Sequence, residues 1–283
     1  MKKNVLLVGP LLTRSGYGEQ ARFALRALRS RPDLFEIFIK PITWGKTSWI
    51  TDNTPERRWI DETIEKTIGY MQQGGQFDLS LQVTIPNEFQ KVAPRNIGYT
   101  AGIETTQPAP IWTQQCNEMD SVIVVSNHSK NVLEMARFEG VDTDTNQKVV
   151  LENNTKITAV NYPAKTFDKL PDLELELDTS FNFLTVAQLG PRKDVESTIQ
   201  WFLQEFKDDD VGLVIKTNVA KNCLMDRSLC LSNLKAMIDQ AATPERKCKI
   251  YMIHGNLTDE EMHALYVDEK INAMVAIPHG EGF

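Results

Sequence analysis

Short apolar runs alternate along the chain with longer segments whose apolar residues suit a helix. Residues Val5-Leu6-Leu7-Val8 are apolar throughout, a pattern typical of a parallel strand that is covered on both faces. Segment 19–28 follows and predicts a buried helix. The same reasoning predicts further strands over 35–39, 77–83, 96–99, 121–125 and 157–160, and helices over 62–71, 110–117 and from polar caps at 126–129 to Arg137.

The second half of the chain repeats this alternation more regularly. It predicts strands over 182–186, 212–216, 250–254 and 272–277, and helices over 195–206, 226–240 and 259–266. Between these halves, Pro163, Pro171 and a run of Asp, Glu and Leu indicate a connector. We therefore expect an α/β protein of two doubly wound, Rossmann-like domains, with ligands bound at strand carboxyl ends facing a cleft. The predicted divisions are 1–165, a connector over 166–180, and 181–283.

Composition narrows the class of protein. The net charge of −7 comes without a run of Lys or Arg, which disfavours general nucleic-acid binding. The four cysteines form no CxxC pair, so we expect neither a zinc nor a disulfide framework and favour a reducing, cytoplasmic compartment. The apolar stretch over 5–12 is broken by Gly9 and Pro10, and no window is long enough to predict a transmembrane segment.

The most informative motif is the turn that follows the last predicted strand, His279-Gly280-Glu281-Gly282-Phe283. Gly280 and Gly282 let backbone N–H groups approach an anion closely, while Glu281 offers a carboxylate to sugar hydroxyl groups. Taken alone, the motif fits a plain β-turn equally well.

Its context is more specific. Segment 253–262, Leu265-Tyr266, the strand over 272–277 and this Gly-Glu-Gly-Phe turn together resemble the donor domain of family 4-type glycosyltransferases, which have the GT-B fold. The resemblance spans about 181–283 and is looser over the first half. It implies that Glu281 is the first glutamate of a Glu-x7-Glu motif whose second glutamate lies beyond Phe283. We therefore expect a C-terminally truncated chain with an incomplete second domain. The resemblance also implies transfer with retention of anomeric configuration.

A basic pair, Arg192-Lys193, lies between a predicted strand and a predicted helix. Positive side chains at a helix N-terminus can hold a diphosphate, aided by unpaired N–H groups and the helix dipole. In the resembled family an Arg and a Lys bind the pyrophosphate, and Lys193 falls at the Lys position. Gln188 stands where the Arg is usual, so we interpret Arg192 as the replacement. The alternative is that both residues are merely solvated.

Lys216 ends the apolar run over 211–215, so it is expected at the carboxyl edge of the sheet. There it could reach a phosphate or the sugar. A structural, exposed lysine is the alternative interpretation.

Gly16-Tyr17-Gly18 begins a match to G-x-G-x-x-A, the dinucleotide fingerprint. Residues 9–15 separate it from the predicted strand end, whereas the fingerprint needs a tight turn. The second strand ends at Ile39-Lys40 without the acid that would bind a ribose. Both facts disfavour NAD. In the resembled family a glycine-rich loop here faces the donor phosphates and the acceptor, so we assign Gly16, Tyr17 and Gly18 to the donor site.

Two acidic motifs remain. Glu104 lies between a predicted strand and a predicted helix, and by resemblance it would position the acceptor or stabilise positive charge on the sugar; an exposed loop carboxylate is the alternative. Asp142-Thr143-Asp144 matches the metal-binding Asp-x-Asp of the GT-A fold, but it stands in a polar loop before a strand. We interpret it as solvated and expect no metal.

The expected reaction is transfer of a sugar from a nucleoside-diphosphate sugar, such as a UDP- or GDP-sugar, to a hydroxyl acceptor in glycan biosynthesis. Glu281 and Glu104 are the candidate catalytic residues, and no cofactor is expected besides this substrate. The acceptor, a glycan, lipid, protein or nucleobase, stays open. The alternatives are a nucleotide-sugar epimerase, a phosphorylase-like enzyme, and a catalytically silent sugar- or nucleotide-binding protein, which Gln188 leaves open.

Overall fold

The computed structural model describes residues 2–141, 146–241 and 245–281. They divide into two compact units. The first unit extends to Pro163 and includes Glu281, and the second is Ala164–Gly280. In the described ranges no helix is long and apolar enough to cross a membrane.

The first unit is built on a parallel sheet with helices. The strands of this sheet are β1 (Lys3–Gly9), β2 (Phe35–Pro41), β3 (Leu79–Val83), β4 (Arg95–Thr100), β5 (Ser121–Val124) and β8 (Ile157–Ala159), and the helices are α1 (Gly16–Arg29), α2 (Pro55–Gln72), α3 (Pro110–Asn117) and α4 (Asn127–Glu134). The sheet order is β2-β1-β3-β4-β5-β8, and neighbouring strands are parallel. The winding direction reverses between β1 and β3, where doubly wound folds bind ligands.

A two-stranded antiparallel hairpin replaces the end of one predicted helix. It consists of β6 (Arg137–Val141) and β7 (Lys148–Glu152). The helix predicted to reach Arg137 is α4, which ends at Glu134 and is capped at Met135. The prediction was wrong there because helical spacing alone does not reveal a hairpin that exposes most of its residues.

The second unit contains a smaller parallel sheet. Its strands are β9 (Phe181–Val186), β10 (Val211–Lys216), β11 (Lys249–Ile253) and β12 (Ala273–Met274), and its helices are α5 (Val195–Phe206), α6 (Leu224–Ala241) and α7 (Asp259–Val267). The order is β11-β10-β9-β12. The winding therefore reverses between β9 and β12, which places this unit's topological switch point beside the carboxyl end of β9.

The last strand is shorter than predicted. The expected strand over 272–277 pairs with β9 only at Ala273 and Met274. Two further backbone bonds flank this pair, from the Asn272 amide to the Asn182 carbonyl oxygen and from the Val275 amide to the Leu184 carbonyl oxygen. Pro278 follows and has no N–H to continue a ladder. The chain therefore leaves the sheet early and enters the glycine-containing turn as an irregular segment.

Apolar cores hold each sheet to its helices. In the first unit Leu7, Ile39 and Val83 pack with Leu25 of α1 and Ile60 of α2. In the second unit, Leu213 and Ile215 of β10 pack against residues of α5 and α6, among them Ile199, Leu203 and Leu234. β1 and β10 contain the continuous apolar runs over 5–8 and 213–215, a pattern expected of parallel strands that are covered on both faces.

The loop from β1 to α1 is held tightly. Ser15 caps α1 by accepting a hydrogen bond from the Gly18 amide at 2.9 Å. The buried guanidinium of Arg22 donates to the carbonyl oxygens of Leu11 and Thr13, at 2.8 and 3.0 Å. A Cβ atom added at Gly18 would lie 2.2 Å from the Thr13 carbonyl oxygen, whereas one added at Gly16 would meet nothing within 4 Å.

We therefore predict that two alanine substitutions in the first turn of α1 differ in their effect on the free energy of unfolding. Gly18→Ala should lower the free energy of unfolding by about 2 kcal/mol, because Arg22 holds the obstructing carbonyl in place. Gly16→Ala, the matched control, should change it by no more than about 0.5 kcal/mol. Urea unfolding followed by circular dichroism measures both. Equal stability of the two variants would contradict this packing.

Candidate functional site

The carboxyl ends of the strands in the second unit lie at one edge. Lys216, the last residue of β10, is in register with Val186 of β9 and Ile253 of β11. Lys216 itself and the loops that leave this edge provide the residues of the second unit that the sequence assigns to the donor-binding site, among them Arg192, Lys193 and Gly280. Parallel pairing thus brings together segments that are far apart in the chain.

The basic pair lies on a one-turn 3-10 helix, Pro191–Lys193, just before α5. Arg192 is exposed and Lys193 is half-buried. Asp194 follows with φ of 44°, and its carboxylate accepts from the Ser197 amide, so it caps α5. Because Asp194 already supplies an anion to the α5 terminus, the basic side chains are the stronger anion-binding feature here.

The basic turn and the Gly-Glu-Gly turn are joined directly. Arg192 Nη1 donates to the carbonyl oxygen of Gly280 at 2.9 Å. The amide of His279 donates to the carbonyl oxygen of Arg192, also at 2.9 Å. Two segments that the sequence separately assigned to the donor therefore meet at the switch point of the second sheet.

Gln188 has a structural contact where the resembled family places an arginine. Its side-chain amide donates to the Val219 carbonyl oxygen at 2.6 Å, and the Leu189 amide donates to the Asn218 carbonyl oxygen at 2.8 Å. Gln188 thus ties the loop after β9 to the loop after β10. The sequence indicated the departure at this position but not the contact.

Lys216 is directed to the neighbouring loop. Its Nζ donates to the Gly255 carbonyl oxygen at 2.8 Å. Burial lowers the pKa of Lys216 below its ordinary value, because the charged form is poorly solvated there. The lysine therefore links the ends of β10 and β11 at the edge where the sequence placed it.

Asp226 is the residue of this edge that sequence reasoning missed. Its carboxylate, in the first turn of α6, accepts from the amides of Val219, Ala220 and Lys221 at 3.0, 2.8 and 2.8 Å. These bonds and His254 hold the pKa of Asp226 well below its usual range, against the opposing effect of burial. An acid at a helix start was the available signal.

In the first unit, Gly16-Tyr17-Gly18 opens α1 and is not part of the preceding loop. The Tyr17 hydroxyl is 2.8 Å from Thr100 Oγ1 and accepts from the Ala101 amide at 3.1 Å. The Tyr17 ring stacks on Trp44, with centroids 4.1 Å apart. Tyr17 therefore joins α1 to the carboxyl end of β4.

Glu104 is exposed on the loop that leaves β4. Burial raises the pKa of Tyr17 to about 12, and the nearby charges of Glu104 and Glu88 add to that rise. The loop is packed tightly at Gly102, which has φ of 86° and leaves no room for a Cβ atom beside Ser129 Oγ. The structure thus brings Tyr17 and Glu104 within electrostatic reach of each other.

Some sequence-assigned residues lie outside the described ranges. These are Gly282 and Phe283 of the Gly-Glu-Gly-Phe turn and the Asp142-Thr143-Asp144 motif. Gly280 is half-buried, and Glu281 is exposed.

No protein-family model and no curated protein matches the sequence. Solved structures do match. A trehalose-6-phosphate structure from E. coli bound with UDP-2-fluoro glucose is similar with a TM-score of 0.56 and 9% identity, over 99% of this chain and 79% of that chain. A UDP-forming trehalose-phosphate synthase from Burkholderia xenovorans gives a TM-score of 0.55 and 11% identity, over 100% and 79%.

A lipopolysaccharide outer core galactosyltransferase is similar with a TM-score of 0.52 and 12% identity, over 100% of this chain and 76% of that chain. These neighbours are GT-B glycosyltransferases. The chain has the GT-B fold. At such low identity the likeness establishes the architecture only, which agrees with the α/β, two-sheet expectation from the sequence.

The hydroxyl of Tyr17 gives a direct test of the first-unit arrangement. Tyr17→Phe should lower the free energy of unfolding by about 1–2 kcal/mol, because it leaves the Ala101 amide without its acceptor. The spectrophotometric titrations of the wild type and the variant should coincide until the pH nears 12, since Tyr17 remains protonated below its raised pKa. Tyr266→Phe, at a residue 44% exposed, is the control and should leave stability within about 0.5 kcal/mol. An earlier divergence of the titration curves would contradict the buried hydroxyl.

Proposed function

We propose that this protein is a family 4-like glycosyltransferase that moves a sugar from a nucleoside-diphosphate sugar to a hydroxyl acceptor. In this proposal the transfer retains the anomeric configuration and uses no metal ion at the reacting centre. The observation that carries the proposal is the pair of bonds between the basic turn and the Gly-Glu-Gly turn, Arg192 to Gly280 and His279 to Arg192. They place cationic side chains beside a glycine turn at a topological switch point, where a diphosphate can be bound.

The chemistry of the transfer explains why these groups are needed. Breaking the bond between the anomeric carbon and the donor oxygen leaves negative charge on the departing diphosphate and positive character on the sugar. Arg192 and Lys193 would stabilise the negative charge on the departing diphosphate. Preorganised cations lower the activation barrier most when they face the atoms on which charge develops. Glu281 would orient sugar hydroxyl groups, and the amides of Gly280 and Gly282, with Phe283, would line the donor.

In the first unit, Gly16, Tyr17 and Gly18 would approach the donor phosphates, and Glu104 would position the acceptor or stabilise positive charge on the sugar. Lys216 would contribute through the loop that it holds at Gly255. The acceptor class stays open, since the acceptor hydroxyl group could belong to a glycan, a lipid, a protein or a nucleobase.

A catalytically silent nucleotide-sugar-binding protein is the second candidate. The observation that favours it is the side chain of Gln188, whose amide bonds Val219 where an arginine would bind pyrophosphate. In that case the second unit would bind the nucleotide but would lack a cation needed to stabilise the departing diphosphate.

The test is to incubate the protein, in the full length in which it is encoded, with UDP- and GDP-sugars and a panel of sugar, sugar-phosphate and alcohol acceptors, and to measure released UDP or GDP. We expect turnover with one nucleotide class. Arg192→Ala and Lys193→Ala should each lower kcat/KM by about 10- to 100-fold, because each removes a charged contact worth about 1.5–3 kcal/mol. Lys235→Ala, at an exposed lysine on α6, is the matched control and should keep full activity.

Three outcomes separate the candidates. Turnover that both basic variants lose supports the transferase. Calorimetric binding of UDP or GDP without turnover, lost in the same variants, supports the silent binder. Absence of both binding and turnover, or equal loss in Lys235→Ala, would refute the assignment of this edge to a nucleotide.

A further inference from the structure

A buried group of three potential metal ligands lies beneath the loops of the second unit. It consists of Asp226, Cys230 and His254, whose donor atoms all lie within 4.8 Å of one another. The Cys230 residue is fully buried, and the side chains of His254 and Asp226 are 3% and 6% exposed. Such a combination of carboxylate, thiol and imidazole has no role in the proposed transfer.

The fold brings these residues together by two routes. Asp226 and Cys230 are four positions apart on α6 and therefore share one face of that helix. His254 directly follows β11, and because β11 pairs in parallel with β10 it lies at the carboxyl edge of the sheet, beside the end of β10. Two ligands four positions apart on one helix are also found in the H-E-x-x-H zinc motif.

The separations suit a tetrahedral ion. His254 Nε2 and Cys230 Sγ are 2.9 and 3.5 Å from the same oxygen, Asp226 Oδ1. Ordinary zinc–ligand bond lengths in tetrahedral geometry give ligand-to-ligand distances of about 3.3–3.7 Å. The separation of Cys230 from Asp226 already matches, and that of His254 from Asp226 needs to lengthen by about half an ångström. Cys230 Sγ and His254 Nε2 lie within 4.8 Å of each other, so a small rotation of either side chain brings this third pair to a ligand-to-ligand distance.

The carboxylate is also held as a metal ligand is usually held. Three backbone amides, of Val219, Ala220 and Lys221, donate to its oxygens, and such hydrogen bonds fix the orientation of liganding carboxylates. Burial and the Asp226 carboxylate raise the pKa of the Cys230 thiol to about 11, so without a metal ion this side chain is a neutral thiol. The Lys216 ammonium group donates to the Gly255 carbonyl oxygen.

We propose that Asp226, Cys230 and His254 bind one zinc ion, with a water molecule as the fourth ligand, and that this ion fastens α6 and the loop over 219–221 to the end of β11. On binding, the Cys230 thiol loses one proton to solvent and becomes a thiolate ligand. His254 binds through Nε2 and carries its proton on Nδ1, while Asp226 binds as the carboxylate that it already is. Two anionic ligands neutralise the divalent ion, and a thiolate selects zinc over magnesium or calcium.

The site would support the candidate donor edge without touching the substrate. The loop that Asp226 holds accepts hydrogen bonds from Gln188 and Leu189, which immediately precede the basic turn. The proposal does not depend on the proposed transfer, since it concerns only the packing of this loop.

The experiment uses the full chain without a polyhistidine tag. Metal is removed with a chelator, one equivalent of Zn²⁺ or Co²⁺ is added, excess is dialysed away, and bound metal is measured by mass spectrometry. We expect about one ion per chain, a cobalt spectrum with a thiolate-to-cobalt band, and a melting temperature raised by several degrees with Zn²⁺. Cys230→Ser should abolish the thiolate band, and His254→Gln should lower the affinity at least tenfold.

The controls are Cys223→Ser, at an exposed cysteine, and His263→Gln, on α7; both should keep the metal and the spectrum. Less than about a tenth of an ion in the folded wild type would overturn the proposal and leave Asp226 and His254 as a hydrogen-bonded pair. A spectrum that survives Cys230→Ser, or that Cys223→Ser removes, would overturn it as well. If Cys230→Ser does not fold, the thiolate band and the zinc-dependent melting temperature of the wild type decide.

Discussion

Parallel strand pairing is the constraint on which the rest of this structure depends. In a parallel sheet every strand begins at one edge and ends at the other, so the loops that leave the carboxyl ends gather along one line. In the second unit the ends of β9, β10 and β11 coincide in register. Residues near 190, 220, 255 and 280 meet there for that reason alone. The strand order alone therefore brings together residues that are up to about 90 positions apart in the sequence.

Loops at such an edge have backbone N–H and C=O groups that no neighbouring strand pairs with. In each unit a buried charged side chain forms hydrogen bonds with some of these groups. In the first unit the Arg22 guanidinium donates to the carbonyl oxygens of Leu11 and Thr13. In the second unit the Asp226 carboxylate accepts from three successive amides. Opposite charges thus solve the same problem. Each charged side chain can be buried because its hydrogen bonds are satisfied. An unpaired buried charge would destabilise the folded state by several kcal/mol.

The sequence predicted those elements in which local pattern and tertiary position agree. β10 is centred on the apolar run over 213–215, and β9 is rich in apolar and β-branched residues. The predicted strands over 182–186 and 212–216 differ from these two strands by one residue at one end. The helix predicted over 259–266 likewise agrees with α7, which begins at a capping box formed by Thr258 and Glu261. The hairpin β6–β7 was not predicted, because its exposed residues carry little apolar signal. β12 was overestimated, because the apolar residues before Pro278 pair with β9 only briefly.

For the candidate site, the sequence predicted residue types but not their partners. It singled out Arg192 and Gly280 separately, and their hydrogen bond depends on the sheet order. It noted Gln188 as a departure, and the bond to Val219 that explains this side chain lies 31 positions away. Asp226 and His254 were not connected at all, since helical spacing indicates only the nearby pair of Asp226 and Cys230. Long-range contacts of this kind follow from strand register, which a single sequence does not encode locally.

The most direct measurement is a crystal structure of the chain with UDP or GDP bound. We expect electron density for the diphosphate against the Arg192 and Lys193 side chains and the backbone of Gly280, at the carboxyl end of β9. Nucleotide bound at any other surface, or a basic turn that contacts no phosphate when the nucleotide is bound, would contradict it.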